Sequence, residues 1–175
     1  MSRKIDLYID FDGVILDTID ITYRRLEEAG ISPKDTSRIV NFYKCLDWDG
    51  LFKESKPIKN SLNNIKTLMD SNLFNICVLS HVVSDTESIA KKKYLKEKLP
   101  TLKVITITQN INKCDAVNCK NAILVDDYME NLKLWNEKGG IPVKFSDKGK
   151  VYDFMTISSL DMLISKYNEI VKLIK

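Results

Sequence analysis

The chain has 175 residues, 44% hydrophobic and 29% charged, and its 27 lysines and arginines against 24 aspartates and glutamates leave a formal charge of +3. That length can bury a core without staples, and a content of only 6 glycines and 4 prolines excludes a linker-rich or disordered chain. The small positive excess is spread along the sequence, which argues against a nucleic-acid polymer as partner, and no apolar run approaches the ~20 residues needed to cross a bilayer.

The N-terminal run MSRKIDLYIDFDG carries acidic residues where a signal peptide needs an uninterrupted apolar stretch, so a cytoplasmic location is expected. Within it, residues 4–9 alternate Ile5, Leu7 and Ile9 and predict a first strand that ends at acidic residues and Gly13. Residues 17–58 follow with helical patterns but no strand, and are read as a small helical cap inserted after that strand. The cap holds Ile39, Phe42, Tyr43, Leu46, Trp48, Leu51 and Phe52, which serve either its own core or a substrate, and Pro57 marks the return to the main domain.

From there helices and strands alternate. Helices are predicted over 59–71, 84–98, 129–138, which stops before Gly139-Gly140, and 158–174; strands over 73–80, 103–107, 120–125 and 141–145. Strands alternating with helices predict βαβ units, hence an α/β, doubly wound, mainly parallel sheet of five strands. The core domain is then 1–16 with 59–175, and its binding crevice lies at the carboxyl ends of the strands. Lys91, Lys92, Lys93, Lys96 and Lys98 read as one solvated helix face. The four cysteines, Cys45, Cys77, Cys114 and Cys119, lack metal-ligand spacing and read as free thiols.

The chemistry sits at predicted strand ends. Asp10-Phe11-Asp12-Gly13-Val14 places two carboxylates two residues apart directly after the first strand, a costly arrangement that a magnesium ion with oxygen ligands would relieve. A carboxylate there can attack phosphorus and its neighbour can serve as acid and base. Alone, the motif does not separate such a site from an ordinary turn.

The motif resembles the first motif of the haloacid dehalogenase (HAD) superfamily, and three further motifs follow in that family's order. Leu79-Ser80-His81 resembles the second, in which a hydroxyl binds the transferring phosphoryl group. Lys113 falls where the family places a basic residue that pairs with the nucleophile and the phosphate. Val125-Asp126-Asp127 resembles the acidic fourth motif.

The resemblance implies Asp10 as nucleophile, Asp12 as acid-base, and Lys113 as their cationic partner. It implies Ser80 and Lys113 as phosphate binders; His81, beside Ser80, is a further candidate for substrate contact. Asp10, Asp12 and Asp127 are the expected magnesium ligands, with Asp126 acting from behind them. Asn131 and Leu132 are read as starting and packing the next helix. The aspartate retained at position 12 favours phosphoryl transfer over dehalogenation, and cap position and length are similar to the 5′(3′)-deoxyribonucleotidase-like branch. The expected partner is therefore a small phosphorylated metabolite such as a nucleoside monophosphate. Phosphosugar phosphatase, phosphotransferase and non-catalytic phosphate-binding module are the alternatives, and the sequence leaves the oligomeric state open.

Overall fold

The structure, a computed structural model, describes residues 4–146, 148, 150 and 152–174. The outermost parts of the expected core segments, 1–3 and 175, lie outside them. Among the described residues the strands are β1 (Ile5–Ile9), β2 (Phe74–Val82), β3 (Lys103–Thr108), β4 (Ile123–Asp126), β5 (Ile141–Phe145) and β6 (Met155–Ile157). They form one sheet in the order β3-β2-β1-β4-β5-β6, and every pairing is parallel.

The α/β parallel sheet is as expected, but it has six strands rather than five. The sixth was missed because Met155-Thr156-Ile157 is too short for a period to show; it becomes a strand only by pairing with β5 from Val143 to Phe145. Strand β2 runs on to Val82, since pairing with β3 continues to Val82 against Thr108, so Ser80 is not the last residue of the strand and His81 lies inside it rather than beyond it.

Three helices, α1 (Ile19–Glu28), α2 (Thr36–Cys45) and α3 (Trp48–Glu54), separate β1 from α4 (Ser61–Asp70). The stretches that lead in and out of this insertion run side by side: the Asp17 amide donates to Lys56 at 2.9 Å and the Ile58 amide to Ile15 at 3.0 Å. Aspartates cap two of the helices, Asp35 accepting from the Arg38 amide and Asp47 from the Gly50 amide. Burial within the insertion is uneven. Helix α3 buries Trp48, Leu51 and Phe52, whereas α2 buries nothing. Phe52 meets Phe11 edge-on at 5.2 Å, and both rings meet Tyr94 on α5 (Asp85–Lys98). Each such ring adds roughly 1 kcal/mol beyond its burial, so α3 is packed onto the residue that follows Asp10.

On the sheet, Ile5, Leu7 and Ile9 point into the main core, while Tyr8 packs on the other face against the buried Trp135 of α7 (Met129–Glu137). The short α6 (Lys113–Ala116) follows β3. The single C-terminal helix expected over 158–174 is instead two short ones, α8 (Met162–Ser165) and α9 (Tyr167–Val171). The one residue between them, Lys166, leaves helical geometry (φ −90, ψ 2), and within the two helices only Leu163 and Ile170 are buried, too little apolar surface to hold one long helix straight. No helix among the described residues is long and apolar enough to cross a membrane.

Candidate active site

The register places the motifs. Ile9 is paired with Val78 on one side and Val125 on the other, so the chain one residue on brings Asp10 between Leu79 and Asp126. Strand order reverses at β1 and β4, the switch point where open α/β sheets bind ligands. Asp10 is fixed there by its own amide, which donates to the Val125 carbonyl at 2.9 Å.

Around Asp10 the sequence-expected residues meet. Its Oδ1 accepts from the Phe11 amide at 2.8 Å and lies 2.8 Å from Lys113 Nζ. Lys113, buried at the start of α6, also reaches Asp126 Oδ2 at 2.7 Å. Asp126 has three donors: Oδ2 accepts from Asn131 Nδ2 as well, and Oδ1 accepts from the Tyr128 amide. Asn131 therefore does more than start its helix, because it fixes the carboxylate that fixes Lys113.

Carboxylate oxygens of Asp10, Asp126 and Asp127 all lie within 4.8 Å of one another, a grouping that could hold a cation. Burial pushes the Asp10 carboxyl up to about 7; Lys113 pulls against that, and Asp126 and Asp12 reinforce it. Asp127 is pushed up to about 6, again chiefly by burial and then by Asp126, with Lys144 opposing. Two carboxyls held this far from their ordinary range mark a place short of positive charge. Gly13 is required beside them. Its φ is +72, and a Cβ there would lie 2.4 Å from Asp127 Oδ2.

Two of the expected residues have partners elsewhere. The Asp12 side chain, expected as a metal ligand, stands outside the carboxylate grouping. Its Oδ1 accepts from Thr18 Oγ1 at 2.7 Å and its Oδ2 from Lys91 Nζ at 2.6 Å, which turns it toward Thr18 and α5. His81, expected at the phosphate, has its ring Nε2 2.9 Å from the Ile111 carbonyl and joins β2 to the loop before α6. Ser80 is fully buried and adjoins Asp12, with Oγ 3.5 Å from Asp12 Oδ2.

The site also holds residues the motifs did not supply. Lys91, read as part of a solvated face, is fully buried and bonded to Asp12, Glu87, Ser80 and the His81 carbonyl. Its signal was available: Glu87, Lys91, Leu95 and Leu99 fall four apart, one row of a helix face, and the two leucines are buried. Lys144 on β5 donates to the Asp127 carbonyl. On the cap side of Asp12 a cavity of about 200 Å³ is lined by Thr18, Ile19, Thr22, Tyr23, Tyr43 and Trp48, together with Val83 and Glu87.

The sequence matches no protein-family profile and no curated protein. Solved structures do resemble it. YfnB of Bacillus subtilis, a proposed HAD-hydrolase solved bound to magnesium, superposes with a TM-score of 0.66 at 14% identity, over 95% of this chain and 100% of that one. The chain has the fold of the HAD hydrolases. A HAD phosphatase from Thermococcus onnurineus (TM-score 0.58, 14% identity, 97% and 99% of the two chains) and a dehalogenase (0.57, 14%, 94% and 97%) share it as well. The HAD fold thus hosts more than one reaction, and the chemistry has to be read from the side chains.

Proposed function

We propose that the chain is a phosphohydrolase that passes the phosphoryl group of a small monoester to Asp10 and then to water, with magnesium as cofactor. The observation that carries this reading is the buried Asp10 carboxyl at the switch point, bonded to Lys113, with Asp126 and Asp127 converging on it. The residues fit the ion: every donor is an oxygen, as a hard divalent cation prefers. Among the described residues, three carboxyls, Asp10, Asp126 and Asp127, converge with two ammonium groups, Lys113 and Lys144, so carboxyls outnumber cations on the Asp10 side. Asp10 and Asp127 would hold the ion, since the oxygens of Asp126 already have donors. When bound, the ion supplies positive charge that favours ionised Asp10 and tolerates an approaching phosphate dianion.

The chain's own groups do the rest. Asp10 attacks phosphorus, the bond from phosphorus to the leaving oxygen breaks, and Asp12 gives that oxygen its proton. Water then attacks the aspartyl phosphate while Asp12 takes its proton, which frees phosphate and restores the Asp10 carboxylate. Lys113 and the Ser80 hydroxyl supply donors for the oxygens that gain charge.

The leaving group would occupy the cavity beside Asp12, with residues 17–58 acting as its cap. Phe52 is a core residue, Trp48 is buried but lines that cavity, and Tyr23, 61% exposed, faces it with Tyr43. These rings support a nucleoside monophosphate, whose base has a face to stack. The small volume favours a second reading, a sugar phosphate, because sites for larger ligands begin near ~300 Å³.

The test is hydrolysis of p-nitrophenyl phosphate with magnesium, followed by deoxynucleoside monophosphates against sugar phosphates. Magnesium-dependent turnover that Asp10→Asn abolishes is the expected result, with deoxynucleotides preferred. No turnover of any phosphate by the wild type would replace this reading with that of a phosphate-binding module.

A further inference from the structure

Lys91 is the buried charge that the proposed reaction leaves without a role. Its ammonium has four acceptors within reach: Asp12 Oδ2 at 2.6 Å, Glu87 Oε1 at 2.7 Å, the His81 carbonyl at 2.8 Å and Ser80 Oγ at 3.0 Å. It also stands 5.3 Å from the centre of the Phe11 ring, between the two aspartates of the first motif. Each neighbour is anchored independently. Thr18 holds the other oxygen of Asp12, and Glu87 is tied to the start of its own helix, accepting from the Val83 amide at 2.7 Å while its amide donates to Ser84 Oγ.

An ammonium group donates and never accepts. Ser80 Oγ is therefore an acceptor toward Lys91, and its own proton must point elsewhere. Its acceptors within reach are Asp12 Oδ2 at 3.5 Å and the His81 carbonyl at 3.3 Å, both longer than an ordinary hydroxyl bond, so a closer acceptor such as a phosphoryl oxygen would compete for the proton. Asp12 is similarly constrained. Bonds from Thr18 and Lys91 to its two oxygens fix the plane of the carboxyl at the edge of the leaving-group cavity.

We propose that Lys91 is a positioning residue for the first chemical step. It holds the Asp12 carboxyl toward the leaving oxygen, directs the Ser80 hydroxyl at the phosphoryl group, and neutralises the charge left on Asp12 once the proton has gone to the leaving group. This rests on the phosphohydrolase reading. It sets Lys91 on the leaving-group side and Lys113 on the nucleophile side, with no exchange of tasks between them.

Leaving-group dependence tests it. p-Nitrophenolate departs with little help from an acid, whereas phenolate needs it, and kcat/KM reports on the step in which the ester bond breaks. Lys91→Met should lower kcat/KM roughly 100-fold on phenyl phosphate but less than about tenfold on p-nitrophenyl phosphate, because acid catalysis commonly contributes that much. In an Asp12→Asn background the same change should cost no more than about twofold, since the two groups act as one unit. Should Lys91→Met fail to fold with Glu87 left unpaired, Lys91→Met with Glu87→Gln removes both charges together and carries the same expectation. Equal losses on the two esters, or a full further loss in the Asp12→Asn background, overturns the proposal while leaving the phosphohydrolase intact. A wild-type chain that hydrolyses neither ester removes both.

Discussion

Two buried lysines divide the cleft. Lys113 lies between Asp10 and Asp126, and Lys91 between Asp12 and Glu87, each with its side chain about 1% exposed. In both cases burial pulls the ammonium down and the two carboxylates more than restore it, so both are held above the ordinary lysine range. The resemblance ends at their surroundings. On the Lys113 side a third carboxyl, Asp127, joins the pair, and Asp10 and Asp127 are left short of positive charge. On the Lys91 side Thr18 and the Val83 amide supply the remaining donors, and no carboxyl is left without one. One half has a grouping of carboxyls that could hold a cation; in the other each carboxyl already has its own donors.

The largest expected effect falls on the Lys113 half. Asp10→Asn should reduce turnover by roughly 10³-fold or more, because a nucleophile has no substitute, while leaving the fold intact. Steady-state rates with magnesium, alongside a thermal melt, measure it. Retained activity would move the nucleophile to another residue and dissolve the contrast between the halves. Lys113→Met comes next. It leaves Asp126 and Asp10 unpaired and should cost roughly 3–5 kcal/mol in denaturant unfolding, as broken buried pairs do. Magnesium should recover part of that loss, since it can neutralise the same carboxyls, whereas it should recover little in Lys91→Met. Equal recovery in both would mean that the ion does not distinguish the two sides.

The halves also differ in how well the sequence announced them. Asp10, Ser80, Lys113, Asp126 and Asp127 were legible because strand ends at a parallel sheet converge, so short motifs far apart in the chain meet by topology alone. Lys91 was hidden by composition. It stands in a lysine-rich stretch whose other members are solvated, and the row that marks it as inward, Glu87, Lys91, Leu95 and Leu99, is half charged, which weakens the apolar pattern that flags burial. The direction of the Asp12 side chain was illegible for a related reason. It depends on Thr18 and Lys91, neither of which belongs to a motif, and both are brought in by packing of the insertion and α5. β6 escaped notice because a three-residue strand carries no pattern of its own.

A smaller effect sharpens the cation-binding half. Asp127→Ala should weaken the apparent affinity for magnesium roughly 10- to 100-fold, with a lesser change in turnover at saturating ion. A titration of activity against magnesium reads both. Unchanged affinity would shift the metal to Asp126 and require its present donors, Tyr128, Asn131 and Lys113, to move away.

The subtlest difference lies in how stability depends on pH. The Asp10 carboxyl is pushed from 3.8 up to about 7, by burial first, against the pull of Lys113. Between those values the folded chain binds a proton that the unfolded chain has released, so the stabilising contribution is full below 3.8 and is lost as pH rises through about 7. Asp127, pushed up to about 6, adds in the same direction over a narrower window. Asp10→Asn removes the larger of these titrations. The difference in melting temperature between that variant and the wild type, without metal, should therefore shift in the variant's favour as pH climbs through the window. Magnesium favours the ionised carboxyl, lowers its proton affinity in the folded state, and should flatten that drift. A difference already flat without metal would show that Asp10 is better solvated than its burial implies. A drift that magnesium leaves untouched would place the ion away from Asp10, and with it the division of the cleft into a half that awaits a cation and a half that does not.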